Sequence, residues 1–172
     1  MCVSGCSGGE GDDFICGGES TSDLRGVVFG GDGDDSIDGG YGNDLIFGQG
    51  GNDAIAGGFG SDTLQGQDDD DIITGSALSD LVFGNAGNDF VNGGFGHDRI
   101  NGGSGADRFF HLGIRDHGSD FIQDYNAAEG DVLLFGQAGA TRSQFQVNFN
   151  DAVAPNGEAA GDDGVQEAFV IY

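Results

Sequence analysis

Carboxylates return through this chain at a fixed step. Asp35, Asp44, Asp53, Asp62, Asp71, Asp80, Asp89, Asp98 and Asp107 stand nine residues apart, and Asp13 precedes them out of step. Each has a glycine five residues before it and a bulky apolar residue two after it. The chain thus reads GGEGDDFIC at Gly8, then GGDGDDSID, GGYGNDLIF, GQGGNDAIA and onward to GGSGADRFF. Paired carboxylates suit two kinds of chemistry: one can hold a proton as a general acid, or both can stay ionised around a hard cation. Carboxylates stacked in rows around cations would leave none free as a general acid.

The elements that position them follow from the period. Nine residues fit no helix face and are too long for a hairpin alternation, but they fit a short strand and a tight turn, repeated. Positions seven to nine of each line supply the predicted strand. Position eight points inward, at Ile37, Ile46, Ile55, Leu64, Ile73, Val82, Val91, Ile100 and Phe109. Positions one to six supply the predicted turn, where glycine accepts left-handed backbone. Two turns reverse the chain twice, so eighteen residues make one coil. Stacked coils give two parallel sheets across a thin apolar core. The predicted fold is all-β: a parallel β-roll, a two-sheet solenoid, with a small C-terminal β cap.

Such a core is too thin to hold itself. One buried side chain per line is worth about 1.5–3 kcal/mol, against about 1–2 kcal/mol of backbone entropy for every residue ordered. The aspartates are the candidates to make up the difference. Lines n and n+2 share an edge, one strand spacing of about 4.8 Å apart. Asp35, Asp53, Asp71, Asp89 and Asp107 therefore stack on one edge, and Asp44, Asp62, Asp80 and Asp98 on the other. Like charges so close repel unless a cation lies between them. Carboxylates with turn carbonyls make an all-oxygen site of the kind Ca²⁺ takes, while Mg²⁺ demands stricter geometry. Counting same-edge neighbours predicts about seven ions. Two turns are suspect, since Asp69 and Leu78 replace the fourth-position glycine; sites involving Asp80 are the weakest expectation. Without the cation, so acidic a chain is expected to be a disordered polyanion.

The ten lines resemble the RTX (hemolysin-type calcium-binding) nonapeptide-repeat family. The resemblance implies the same arrangement, with turn carbonyls completing each site. The implied turn positions are Gly31, Gly33, Gly40, Gly42, Gly51, Gly58, Gly60, Gly87, Gly94, Gly96, Gly103 and Gly105. It also implies type I secretion directed by an uncleaved C-terminal signal. Calcium-dependent folding points the same way, because sites of extracellular affinity stay empty in calcium-poor cytosol and fill outside the cell. The expected location is therefore secreted and extracellular.

The 172 residues divide into an irregular segment at 1–29 with the first line, the β-roll at 30–110 and a capping and secretion region at 111–172. Thirty acidic residues against five arginines give a net charge of −25, which disfavours nucleic acid and anionic membranes as partners. No apolar run of membrane-spanning length occurs, and no signal peptide is expected ahead of the repeats. Cys2, Cys6 and Cys16 allow at most one internal bridge. Thirteen residues from Gly17 to Phe29 replace the usual nine, with Asp23 as a further possible ligand. At position three, Tyr41, Phe59, Ala77 and Phe95 form an aromatic column. It is expected on the same side as Leu45, Phe47, Leu81 and Phe83, giving an apolar face for self-association or a parent enzyme domain. After His111 a loop leads to strands at Asp120–Tyr125 and Asp131–Phe135, which resemble the segment following the repeats in many RTX proteins and should cover Phe109 and Phe110. Further strands are predicted at Gln144–Phe149 and Val165–Tyr172.

No enzyme is expected. His97 should face solvent, and His111 and His117, near Asp116 and Asp120, read as loop histidines. No HExxH motif occurs, and Gly5–Gly9 lacks the strand and helix of a nucleophile elbow. The function read from the residues is a calcium-binding module that folds after export and serves as a folding, secretion and stabilising unit. The alternatives are the tail of an exported enzyme (protease, lipase or alginate epimerase) or a polysaccharide-binding module using Arg99, Arg108 and Arg115. Arg99 and Arg108 should fall on opposite sheets.

Overall fold

The computed structural model describes residues 5–18, 25–111, 118–136, 146–150 and 167–171. In chain order the strands are β1 (Cys6–Glu10), β2 (Phe14–Gly18), β3 (Val27–Asp32), β4 (Ser36–Gly40), β5 (Leu45–Gly50), β6 (Ala54–Phe59), β7 (Thr63–Asp68) and β8 (Ile72–Ala77). Then follow β9 (Leu81–Ala86), β10 (Phe90–Asn92), β11 (Arg99–Ser104), β12 (Arg108–His111), β13 (Asp120–Ile122), β14 (Val132–Phe135), β15 (Gln146–Asn150) and β16 (Glu167–Ile171). They alternate between two sheets, ordered β1-β3-β5-β7-β9-β11-β13-β16-β15 and β14-β12-β10-β8-β6-β4-β2. All pairings within the repeats are parallel, and only β16 with β13 and β15 with β16 run antiparallel. Among the described residues no helix is long and apolar enough to cross a membrane.

The predicted inward column from Ile37 to Phe109 is the core, and Val28 and Ile122, not predicted, lengthen it at its two ends. Val28, Ile37, Ile46, Ile55, Leu64, Ile73, Val82, Val91, Ile100, Phe109 and Ile122 are each at most 2 % exposed, and Cys6 and Ile15 extend the column at its start. Register puts each on its neighbour, as in Ile46↔Leu64 and Leu64↔Val82. β-branched side chains suit so flat a stack.

The boundary between turn and strand differs from expectation. Strands run on through positions one to three of the next line, as in Leu45–Gly50, and only positions four to six turn. First-position glycines such as Gly48 and Gly66 are therefore buried strand residues. Glycine there reads as a turn signal, but its role is to leave space beside an inward-facing carboxylate.

That boundary also relocates the aromatic column. Tyr41 stacks on Phe59 with centroids 4.9 Å apart and planes at 9°, and the Tyr41↔Phe59 and Ala77↔Phe95 bridges extend the second sheet. Leu45, Phe47, Leu81 and Phe83 lie in the first sheet, where Phe47 stacks on Phe29 at 5.1 Å. The single apolar face expected from the sequence is thus two separate ones, because position three ends one strand instead of opening the next. Arg99 and Arg108 do fall on opposite sheets, in β11 and β12.

The C-terminal strands continue the solenoid. β13 lies on β11 and β14 on β12, so the two join opposite sheets and make one more coil. Tyr125 covers Phe109 at a centroid distance of 6.4 Å. Cys6 is disulfide-bonded, while Cys16 is free and exposed on β2. Asp23, Asp116 and His117 lie outside the described residues.

Candidate metal centres

Each turn ends at its sixth-position aspartate, and the coil spacing joins these residues into two rows. On the first edge the N–H of Asp13 donates to Oδ1 of Asp35 (2.8 Å), Asp35 to Asp53 (2.8 Å), Asp53 to Asp71 (2.8 Å), Asp71 to Asp89 (2.8 Å) and Asp89 to Asp107 (2.9 Å). On the second, Asp44 donates to Asp62 (2.7 Å), Asp62 to Asp80 (2.8 Å) and Asp80 to Asp98 (2.9 Å). From Asp35 onward these are the groupings that an eighteen-residue coil predicts; Asp13, 22 residues before Asp35, joins the first edge across the longer line.

The second carboxylate oxygen carries the chemistry. Oδ2 of Asp13, Asp35, Asp53, Asp62, Asp71, Asp80, Asp89, Asp98 and Asp107 is buried with no hydrogen-bond partner. The first-position glycines make room for these atoms. A Cβ placed on Gly48 would overlap Oδ2 of Asp53 and lie 2.7 Å from the Gly66 carbonyl oxygen, and Gly57 stands in the same relation to Asp62 and the Gly75 carbonyl. A carboxylate oxygen and a main-chain oxygen of the next coil therefore converge along both edges. A buried charge with no partner is costly, so these atoms call for a cation or a proton.

Burial pushes the carboxyl groups of Asp53, Asp62 and Asp89 up to about 6, from an ordinary value of 3.8. It pushes those of Asp71, Asp80 and Asp107 up to about 7. Backbone N–H donors oppose the rise without cancelling it, and like charges nearby add to it. Asp98 is raised as well, by burial first and then by the charge of Asp120.

A second row, not foreseen from the sequence, runs outside the first. At position five, Asn52 N–H donates to Asp34 Oδ1 (2.7 Å), Asp70 N–H to Asn52 Oδ1 (3.2 Å) and Asn88 N–H to Asp70 Oδ1 (2.7 Å). From Asp34 onward, amides between the acids keep like charges two coils apart. On the other edge Ser61 donates to Asn43 Oδ1 (2.9 Å) and Ser119 to Nδ1 of the exposed His97 (3.1 Å). The two rows account for the turn's donors. In the turn at Gly33, the N–H groups of Gly33, Asp34, Asp35 and Ser36 go to the Gly50 carbonyl, Asp12 Oδ1, Asp53 Oδ1 and the Asp13 carbonyl. What each turn still offers a ligand is oxygen.

All twelve glycines named above hold positive φ, from 85° at Gly40 to 153° at Gly87, although Gly31, Gly40, Gly58 and Gly103, expected in turns, lie in strands because the strands run on past the first position. Leu78 and Asp69 adopt the same backbone, at 83° and 75°, so the suspect turns keep their shape and Asp80 keeps its place in the row. Leu78 does so at a cost of about 1–2 kcal/mol.

A model of the RTX calcium-binding nonapeptide repeat matches the chain in four copies, over residues 7–21, 26–55, 48–82 and 74–109. The chain belongs to that family. No curated protein matches it.

RTX repeats bind calcium, and the rows of buried aspartates fit that ion. Among the described residues no three histidine, cysteine or acidic side chains converge as a metal cluster. Carboxylate and main-chain oxygens approach one another along the edges instead, and an all-oxygen set suits a hard ion of flexible coordination. Beyond the family match, the RTX rows extend to Asp120 and Asp131, which the sequence reading did not include. Asp98 N–H donates to Asp120 Oδ1 (3.4 Å) and Asp107 N–H to Asp131 Oδ1 (2.9 Å). The signal was present in DFI and DVL, each an aspartate two residues before an apolar one, but the spacing departs from nine. His111 is also not a loop residue: it ends β12, buried, with Nδ1 2.8 Å from Asp120 Oδ2.

Proposed function

We propose that calcium ions bind along both edges, between successive coils, and that this binding winds the chain into its roll. The ligands are the Oδ2 atoms of Asp13, Asp35, Asp53, Asp71, Asp89 and Asp107 on one edge, and the carboxylates of Asp44, Asp62, Asp80 and Asp98 on the other. Carbonyl oxygens of the turns complete them, Gly33, Gly51, Gly87 and Gly105 on the first edge and Gly42, Gly60 and Gly96 on the second. The observation that carries this reading is the row of buried carboxylate oxygens with nothing bonded to them.

Isothermal titration with calcium at pH 7.5 is expected to show cooperative uptake of about seven ions, with magnesium failing to substitute. Acid should oppose it. The folded carboxyl groups have values above those of the unfolded chain, so protonation favours the calcium-free roll. That stabilisation is complete below 3.8 and disappears as pH rises through 6–7. Calcium needs the ionised form, so its affinity moves in the opposite direction. The calcium midpoint at pH 5.5 should be about tenfold higher than at pH 7.5; equal midpoints would contradict ligation by these carboxylates.

The module folds after export. A chain carrying −25 charges repels itself until cations neutralise it, so it stays open where calcium is scarce and closes where calcium is plentiful. It serves there as a folding, secretion and stabilising unit. Co-expression with a type I exporter should place the chain in the medium, and retention in the cell with an active exporter would argue against this route.

A further inference from the structure

The last coil breaks a rule that the repeats keep. Gly118, Ser119 and Asp120 make a turn of the repeat type, with Gly118 at φ 109° and Asp120 Oδ1 accepting from the N–H of Asp98. Asp120 thus occupies the next rung of the second edge. At Asp62 and Asp80, earlier rungs of the same edge, Oδ2 has no partner. At Asp120 the same atom meets Nδ1 of His111 at 2.8 Å, with both side chains buried.

The first edge ends in a related way. Asp131 Oδ1 accepts from Asp107 N–H at 2.9 Å, and its Oδ2 accepts from Asn126 N–H at 2.7 Å. Asp124, in the same coil, accepts from Gly102 N–H at 2.9 Å and Gly103 N–H at 2.5 Å. These three carboxylates, Asp120, Asp124 and Asp131, thus meet protein groups on both oxygens, while Glu129 of the same segment is exposed.

We infer that His111 takes the place of a cation at the end of the second edge, so that the ion-binding row stops at Asp98 and the final coil is held by protein groups alone. The surroundings support the substitution. Ile100, Phe109, Ile122, Leu133 and Phe135 line the space beside the pair, and in so apolar a setting a carboxylate needs a fixed partner. An imidazole N–H delivered from β12 supplies one without requiring a further coil to complete a metal site. His111 is a positioning residue here; it fixes where the roll ends.

The inference rests on the calcium reading above, and four variants of the full chain separate the two. Calcium alone is the probe, with ion number read by isothermal titration and stability by thermal melting in calcium. Asp120→Asn should bind as many ions as the unmodified chain, whereas Asp98→Asn should bind fewer. His111→Leu should melt about 5–10 °C lower, because it strands Asp120 Oδ2. His111→Gln, whose amide can donate to the same atom, should recover at least half of that loss. An ion lost in Asp120→Asn would overturn the inference, as would leucine and glutamine variants that both melt with the unmodified chain. If the leucine variant does not fold, the ion count in Asp120→Asn still decides. If no variant binds calcium, the calcium reading fails, and the comparison of leucine with glutamine still tests His111.

Discussion

Gly66→Val is expected to prevent the roll from closing through its middle, with loss of calcium-induced β-structure. Gly66 has no need of unusual backbone; what it supplies is absence. A Cβ there would overlap Asp71 Oδ2, and would lie 2.8 Å from Asp71 Cγ and 2.9 Å from the Gly84 carbonyl oxygen. Neither neighbour can yield. Asp71 is tied to its row through Oδ1, and Gly84 is backbone in the next coil of the same sheet. Overpacking a site this rigid costs about 3 kcal/mol, and it also displaces a carboxylate from its metal-binding position. Gly50→Ala is the matched control. Its Cβ would meet only Asp32 Oδ1, at 3.9 Å, and its stability should stay within about 0.5 kcal/mol of the unmodified chain. Denaturant unfolding in calcium compares the two, and similar losses in both would show that the first-position space has no special role.

Asp71→Asn should act with opposite sign in calcium and in its absence. With calcium, the amide keeps an acceptor for the Asp53 N–H but offers no charge to an ion. The variant should lose the stabilisation of at least one site, about 2.7 kcal/mol at a hundredfold excess of ligand over its dissociation constant. In EDTA the same change removes a carboxylate whose ionisation burial disfavours, since burial pushes it to about 7. Whatever residual structure the chain keeps at pH 8 should therefore increase. Circular dichroism of both proteins in both buffers reads the crossing. Destabilisation of equal size in the two buffers would mean that Asp71 is a structural hydrogen-bond acceptor and not a metal ligand.

Different parts of this molecule were legible to different degrees. The core was plain, because an apolar residue every ninth position, from Ile37 to Phe109, has one way to stack in a two-turn coil. The partition of aspartates between edges followed from the same count. The extent of the strands was not plain. Glycine at the first position signals a turn when read alone, and only the closeness of Asp53 Oδ2 to Gly48 shows that the missing side chain matters more than the backbone. The same ambiguity hides the position of Tyr41 and Phe59, which extend the sheet opposite to that of Leu45 and Phe47. The outer row of Asp34, Asn52, Asp70 and Asn88 looked like solvated turn sequence, since no single residue in it is unusual. Asp120 and Asp131 were hidden by insertions that break the spacing while leaving the local pattern intact. His111 looks like a loop residue because the glycine register stops just before it, while β12 continues through it.

Withdrawal of calcium tests the central claim most directly. The purified chain in calcium, followed by far-ultraviolet circular dichroism and small-angle scattering at pH 7.5, should be compact and rich in β-structure. Excess EDTA should convert it to an expanded chain without sheet signal, and added calcium should restore the first state. A chain that stays compact and sheet-rich in EDTA would show that the buried aspartate rows need no cation, and the proposed role of calcium in winding the roll would have to be abandoned.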